Sequence, residues 1–233
     1  MKKLDYNGQA EQDKFVCNVL NNKINGFFVE VGSNHPIKIN NTYVLENTLK
    51  WTGLMFEYER AKFEKLYKEH RSNSSYIFGD AQSHDYQELF SKYNVPNEID
   101  YLQLDIDPPE KTLNVLKVLN EQVMTSYKFA VITFEHDYSH CRNMNPRNES
   151  RKILKDRGYY LVFEDIANQE PKWVYEDWYV HPDLVDMDYI KKLQSNNEAN
   201  YGPFFADIPK TLNWENIEYY DKFKSKLCGI TES

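Results

Sequence analysis

No stretch of the chain reaches the roughly 18 consecutive apolar residues that a bilayer-crossing helix needs, so a membrane span is not expected. The opening Met1-Lys2-Lys3 runs straight into Leu4-Asp5-Tyr6-Asn7, which supplies no apolar core for a secretion signal. Cysteine is scarce: Cys17, Cys141 and Cys228 lie far apart and form no C-x-x-C pair. That usage fits reduced thiols, so a cytoplasmic protein is expected and the three carry no assigned chemistry. Basic residues are in deficit, 28 Lys and Arg against 36 Asp and Glu, for a formal charge of −8. A general nucleic-acid binder would need a segregated basic face, which the sequence does not show, so nucleic acid is not an expected partner. Repeats and low-complexity linkers are missing too, and the eight Gly and nine Pro fall mostly between periodic segments.

What remains is an ordinary globular composition. With 233 residues, 41% hydrophobic and 27% charged, one domain with a single core is the default. The expected layout is a helical cap over residues 1–25, a core over 26–185, and a poorly periodic tail, helical or irregular, over 186–233. Aromatics reach 15%, with eighteen Tyr, and serve mostly the core.

Short apolar runs alternate with longer amphipathic ones. Phe27 to Gly32 reads as a buried strand, followed by a helix from about Asn40 that carries Val44, Leu45, Thr48 and Leu49 on one face. Strands are expected at Leu54–Glu57, Tyr76–Asp80, Tyr101–Asp105, Phe129–Phe134 and Tyr159–Glu164. Helices are expected at Ala61–His70, Asp85–Tyr93, Pro109–Leu119 and Asn148–Arg157, and a last extended segment at Trp173–Val180. Such alternation predicts an α/β fold, a mostly parallel sheet with right-handed crossovers and helices on both faces. Ligands of such doubly wound folds sit beyond the carboxyl ends of the strands, where strand order reverses. Here those ends read Glu30-Val31-Gly32, Phe56-Glu57, Gly79-Asp80, Leu104-Asp105-Ile106-Asp107 and Phe134-Glu135-His136-Asp137.

Gly32-Ser33-Asn34 can make a tight turn that lets backbone approach a ligand closely. Glu57, ending the second strand, is placed to accept both hydroxyls of a ribose diol. Asp80, followed by Ala81, can receive an adenine amino group; a simple turn Asp is the plainer alternative.

These residues resemble the FkbM-type methyltransferases over roughly Gly26 to Val185. The resemblance rests on Gly26 to Asn34, Asn41-Thr42-Tyr43-Val44-Leu45-Glu46, Trp51 to Glu57 and Tyr101 to Asp107. Two later stretches, Thr133 to Asp137 and Glu176 to Asp183, are similar to a sub-branch of that group. The resemblance implies the Rossmann-like class I methyltransferase fold with an antiparallel last strand. It also implies S-adenosylmethionine as cofactor and a sugar or sugar-nucleotide hydroxyl as acceptor, in surface polysaccharide or capsule synthesis. Glu30, Gly32, Ser33, Asn34, Glu57, Asp80, Ala81 and Asp105 become the expected cofactor contacts. Two departures stand out: His35-Pro36 where the family often has Gly after its first residue, and Pro108-Pro109 in place of the common Gly.

Methyl transfer to oxygen needs positioning and a proton acceptor. His136 is the candidate base, since an imidazole titrates near neutrality, with Asp105 and Asp107 beside it as catalytic candidates. Glu135, Asp137, Trp178 and His181 are candidate acceptor contacts. Asp105, Asp107, Glu135 and His136 are an oxygen-and-imidazole set that suits Mg²⁺ or Mn²⁺, although no tight ligand spacing supports one. Arg142, Arg147, Arg151 and Lys152 offer a diphosphate contact or an ordinary solvated face. Two rival functions stay open: an NAD(P)-dependent oxidoreductase, weakened by the missing Gly-x-Gly-x-x-Gly and Tyr-x-x-x-Lys patterns, and an inactive binding module. A homo-oligomer is compatible with all three.

Overall fold

A computed structural model of the chain describes residues 4–138, 144–167 and 174–195. Trp173, Cys141, Cys228, Arg142 and the tail beyond residue 195 lie outside the described residues.

The described chain runs α1 (Gln12–Val19), β1 (Phe27–Val31), α2 (Tyr43–Asn47), β2 (Thr52–Glu57), α3 (Arg60–His70) and β3 (Ser75–Phe78). A 3₁₀ turn (Ala81–Ser83) leads into α4 (Tyr86–Lys92), β4 (Glu98–Leu104), α5 (Pro109–Gln122) and β5 (Lys128–Glu135). Then come α6 (Met144–Asp156), β6 (Tyr160–Ala167), β7 (Val174–Val180) and α7 (Met187–Ser195). The strands form one sheet in the order β3-β2-β1-β4-β5-β7-β6. The first five are mutually parallel, and β7 runs antiparallel to both β5 and β6.

Each interior strand is apolar almost throughout, because helices cover both faces of a parallel sheet. One face packs Phe28, Met55, Tyr101 and Trp178 under α1, α2, α3 and α7. The other packs Val29, Leu54, Leu102, Leu104, Ile132, Phe134 and Tyr179 under α4, α5 and α6. Strand order reverses between β1 and β4, so the loops leaving them diverge and open a crevice at that switch point.

One expectation changes. The helix foreseen from Asn40 is only Tyr43–Asn47, because Asn40 folds into a turn whose carboxamide oxygen accepts from the Thr42 N–H at 3.1 Å. The last strand is antiparallel as expected, and it lies inside the sheet: β7 inserts between β5 and β6, all seven of its residues are buried, and β6 takes the edge. The tail from Met187 opens with a helix, which buries Ile190 and Leu193 against the first face.

Candidate functional site

A cleft of about 710 Å³ lies at the carboxyl ends of the parallel strands. Gly32 after β1, Glu57 ending β2, Asp80 after β3, and Gln103 and Asp105 at the end of β4 all line it. Gly32 holds φ +85°, and a Cβ built there would stand 1.7 Å from the Asp105 carbonyl oxygen. Glycine is required at this point both by conformation and by the close approach of the two diverging loops. The Gly32 and Ser33 N–H groups both donate to the Phe56 carbonyl, at 3.0 and 3.1 Å, which ties the loop after β1 to β2.

Glu57 receives the Asn34 N–H on one oxygen at 2.7 Å and the Glu59 N–H on the other at 2.9 Å. Each oxygen keeps a lone pair, so the carboxylate is oriented and can still accept two hydroxyls. Asp80 caps the 3₁₀ turn by accepting from the Gln82 N–H at 3.0 Å, and that hydrogen bond holds its carboxyl below the usual range. Ala81 is buried beside it, its carbonyl accepting from the Tyr86 hydroxyl at 2.8 Å.

The loop Asn34–Asn40 forms the front of the cleft. Instead of a glycine turn it folds around His35, whose Nδ1 accepts from the Ile37 and Lys38 N–H groups, both at 3.1 Å. Ile39 projects at the mouth, 69% exposed and with φ +52°, a conformation a β-branched residue rarely adopts. Behind the loop sits Arg71, fully buried. Its guanidinium donates to Glu46 at 2.8 Å, Thr42 Oγ1 at 2.6 Å, Asn40 Oδ1 at 3.0 Å and the Pro36 carbonyl at 3.3 Å. Asn40 in turn donates to Glu30 at 3.3 Å and to the Ser33 carbonyl at 3.1 Å. Glu30 is buried in the cleft floor, and desolvation raises its pKa against the opposing charge of Arg71, 3.9 Å away.

At the inner end the register builds a row of acids. Gln103 pairs with Thr133 and Leu104 with Phe134, so Asp105 and Glu135 are the next neighbours, and Glu135 pairs with Glu176 on β7. Asp105 and Glu135 thus stand side by side at the strand ends, and the charge of Asp105 raises the cost of ionising Glu135. Burial pushes Asp105 up to about 7, helped by Asp137 and Asp107, and raises Glu135 strongly. Glu176 is pushed by burial to about 8 although Trp178 and Gln12 donate to it at 2.8 and 2.9 Å.

His136 does not join this row. Side chains alternate along a strand, so Glu135 shares the face of Gln103 and Asp105, without itself lining the cleft, and His136 points to the opposite face. There it is fully buried, with Nε2 3.5 Å from Asp177 and 3.8 Å from Asp165. Its Nδ1 accepts from the Tyr138 N–H at 3.2 Å, which puts the ring proton on Nε2 and leaves no free basic nitrogen facing the cleft. The foreseen metal set of Asp105, Asp107, Glu135 and His136 therefore does not assemble. His136, Asp165 and Asp177 do come together, but two arginines already occupy the carboxylates. Arg151 donates to both oxygens of Asp177 at 2.7 Å, and Arg147 reaches Asp165 at 2.7 Å. These arginines close an internal network and do not face the cleft as a diphosphate clamp.

Two acceptor candidates fail for positional reasons. Trp178 is buried against Phe15 and Phe163 in the core, with ring centroids 4.7 and 6.1 Å away. His181 follows an antiparallel strand, so it stands at the amino ends of the parallel strands, its N–H donating to Ala130 at 2.9 Å. Asp137, at φ +45°, turns the chain after β5, and Asp107 is exposed on the cleft wall.

Gln103 and Arg71 were not singled out from sequence. Gln103 is 3% exposed, lines the cleft, and leaves its carboxamide oxygen without a partner, as does Asn41 at 7%. The available signal for Gln103 was a polar residue in an otherwise apolar strand; Arg71, placed after a charged helix, gave none.

No family model and no curated protein matches the sequence. Solved structures do. A Clostridium thermocellum protein described as an rRNA-methylase superposes with TM-score 0.51 at 14% identity, covering 76% of this chain and 96% of that one. A Streptococcus mutans protein described as a methyltransferase, in complex with SAH, gives TM-score 0.49 and 15% identity over 72% and 94%. Methanococcus jannaschii fibrillarin gives 0.48 and 16% over 73% and 76%. At these identities the likeness shows the fold, and together with the strand order that fold is the Rossmann-like class I methyltransferase architecture.

Proposed function

We propose that the chain is an FkbM-type methyltransferase that uses S-adenosylmethionine to methylate a hydroxyl of a sugar, free or nucleotide-activated, in the making of surface polysaccharide. The observation that carries this reading is that Gly32, Glu57, Asp80 and Asp105, from four adjacent strands, line one cleft. Strands lie about 4.8 Å apart, so the four positions span roughly 14 Å, a length that suits an extended adenosyl-amino-acid. The volume of about 710 Å³ is ample for such a ligand.

Glu57, pre-oriented by two backbone N–H groups, would hold the ribose hydroxyls, and Asp80 with Ala81 the adenine edge. Glu30, Ser33 and Asn34 would shape the amino-acid end through the Arg71 network. Bound there, S-adenosylmethionine supplies a methyl group on a sulfonium, open to in-line attack by oxygen. Asp105, which lines the cleft with its carboxyl pushed by burial to about 7, would take the proton of the acceptor hydroxyl, the role first sought in His136.

The charge of the cleft favours an uncharged acceptor end over a phosphate backbone. Six acids, among them Glu59 and Asp107, line it against the exposed Lys38, Lys62 and Lys111. The rRNA in the name of the Clostridium protein is therefore not carried over. A dinucleotide reading is disfavoured because the Gly32 and Ser33 N–H groups, which would cradle a pyrophosphate, are already committed to Phe56.

The test is incubation of purified protein with S-adenosylmethionine and a panel of sugars and sugar nucleotides, read by mass. A gain of one methyl on a panel member supports the reading. A panel unchanged while a nucleic-acid or protein acceptor gains the methyl refutes it.

A further inference from the structure

Gln103 and Asn41 are buried carboxamides that line the cleft, and neither side-chain oxygen has a hydrogen-bond partner among the described residues. A buried acceptor left unmet lowers stability, so a cleft wall that keeps two of them is shaped for hydrogen-bond donors from outside the chain.

Their neighbours do not supply those donors. The register sets Gln103 beside Glu30 on β1 and Thr133 on β5. The Thr133 hydroxyl is joined to that of Tyr101 at 2.8 Å, and Glu30 is itself an acceptor, faced by Asn40 and Arg71. The Arg71 N–H groups go to Glu46, Thr42, Asn40 and Pro36. Around Asn41 the N-terminal segment presents more acceptors. A Cβ built on Gly8 would stand 2.8 Å from Asn41 Oδ1 and 2.9 Å from both Asp13 Oδ1 and Gln12 Oε1, so three oxygens crowd one point. Asp13 is fixed there by the N–H groups of Asn7, Gly8 and Lys14, and Gln12 by that of Ala10, while the Gln12 amide goes to Glu176.

We propose that Gln103 and Asn41 bind the acceptor, each taking a hydrogen bond from a separate hydroxyl of a sugar ring and so setting which hydroxyl meets the donor. The proposal rests on the sugar-methylation reading above. A hydroxyl suits a carboxamide because each can both accept and donate, whereas a carboxylate would bring only acceptors to a wall of acceptors. Neither residue is among those assigned to the donor. Asp105 follows Gln103 by two residues on the same face of the sheet, and both line the cleft. A ring held by Gln103 therefore presents a neighbouring hydroxyl to the group that takes the reacting proton.

The experiment compares the full-length wild type with Gln103→Met, which keeps the length of the side chain and removes the carboxamide. Three quantities are read: calorimetric affinity for S-adenosylmethionine, melting temperature, and kcat/KM for UDP-glucose, GDP-mannose and the free hexoses, each beside its monodeoxy forms. The variant should melt no lower than the wild type, because the oxygen it removes is unpaired in the free chain. Donor affinity should stay within about twofold, while kcat/KM for the sugar that turns over falls by about 10–100-fold. One monodeoxy form should be poorer than its parent by about tenfold with the wild type and by less than about twofold with the variant, the coupling that a direct contact produces. Sugar turnover by Gln103→Met within about twofold of wild type overturns the proposal. A loss of donor affinity as large as the loss of turnover overturns it too, since the carboxamide then belongs to the donor's amino-acid end. Should Gln103→Met not fold, Asn41→Ala carries the same comparison. If the wild type turns over no sugar, the proposed function falls and takes this inference with it; if it turns over a sugar that neither substitution affects, this inference falls alone.

Discussion

Glu135 and His136 are adjacent in the chain, yet Glu135 lies on the sheet face of Asp105 while His136 lies buried on the other, 3.5 Å from Asp177. The pleat alone separates them. On the proposed function Asp105 would take the acceptor's proton, whereas His136 and Arg151 meet at Asp177 on the far side of the sheet.

A pair of substitutions reads this division. His136→Gln should leave donor affinity within about twofold while lowering stability by roughly 1–3 kcal/mol, the cost of disturbing a buried polar contact. Asp105→Asn should leave the fold standing and cut turnover by about 10²-fold or more, as expected for a lost proton acceptor. Thermal melts together with single-turnover methylation separate the two outcomes.

Arg71 is the keystone of the loop Asn34–Asn40. Replacing it by Met would leave Glu46 and Glu30 buried without a counter-charge, so a loss of about 3–5 kcal/mol is expected. Denaturant unfolding measures it, and a loss below about 1 kcal/mol would contradict the network.

Buried acids set the response to pH. Asp105 at about 7, Glu176 at about 8 and Asp13 at about 6, all raised mainly by burial, hold protons that the unfolded chain releases near pH 4. Folding is then linked to proton uptake, so their contribution is fully present below about pH 4 and is lost as pH rises through 6 to 8. Asp177 works in the opposite direction: burial opposes its ionisation, but His136 and Arg151 hold it well below the usual range. Its contribution is lost in acid. The melting temperature should therefore peak in mildly acidic solution and decline toward pH 8, and Glu176→Gln should flatten the alkaline side.

The architecture was legible because the parallel interior strands are mostly apolar, interrupted by single polar residues such as Glu30 and Gln103, and each is followed by an amphipathic stretch. Glu57 and Asp80 were legible for the same reason, as acids that stop such runs. His136 was misjudged because sequence adjacency to Glu135 hides the alternation of faces. Trp178 and His181 were misjudged because the reversal of β7 depends on its insertion between β5 and β6, a long-range pairing that no local pattern encodes. Arg71 escaped notice since its partners Glu46, Thr42 and Asn40 are distant in sequence and gather only after folding.

The most direct measurement is titration of the purified chain with S-adenosylmethionine, wild type beside Glu57→Ala. The account predicts saturable binding by the wild type and a loss of about 10–100-fold on removing a carboxylate that accepts both ribose hydroxyls. Absence of binding at millimolar ligand, or an Ala variant that binds as well as the wild type, would contradict it.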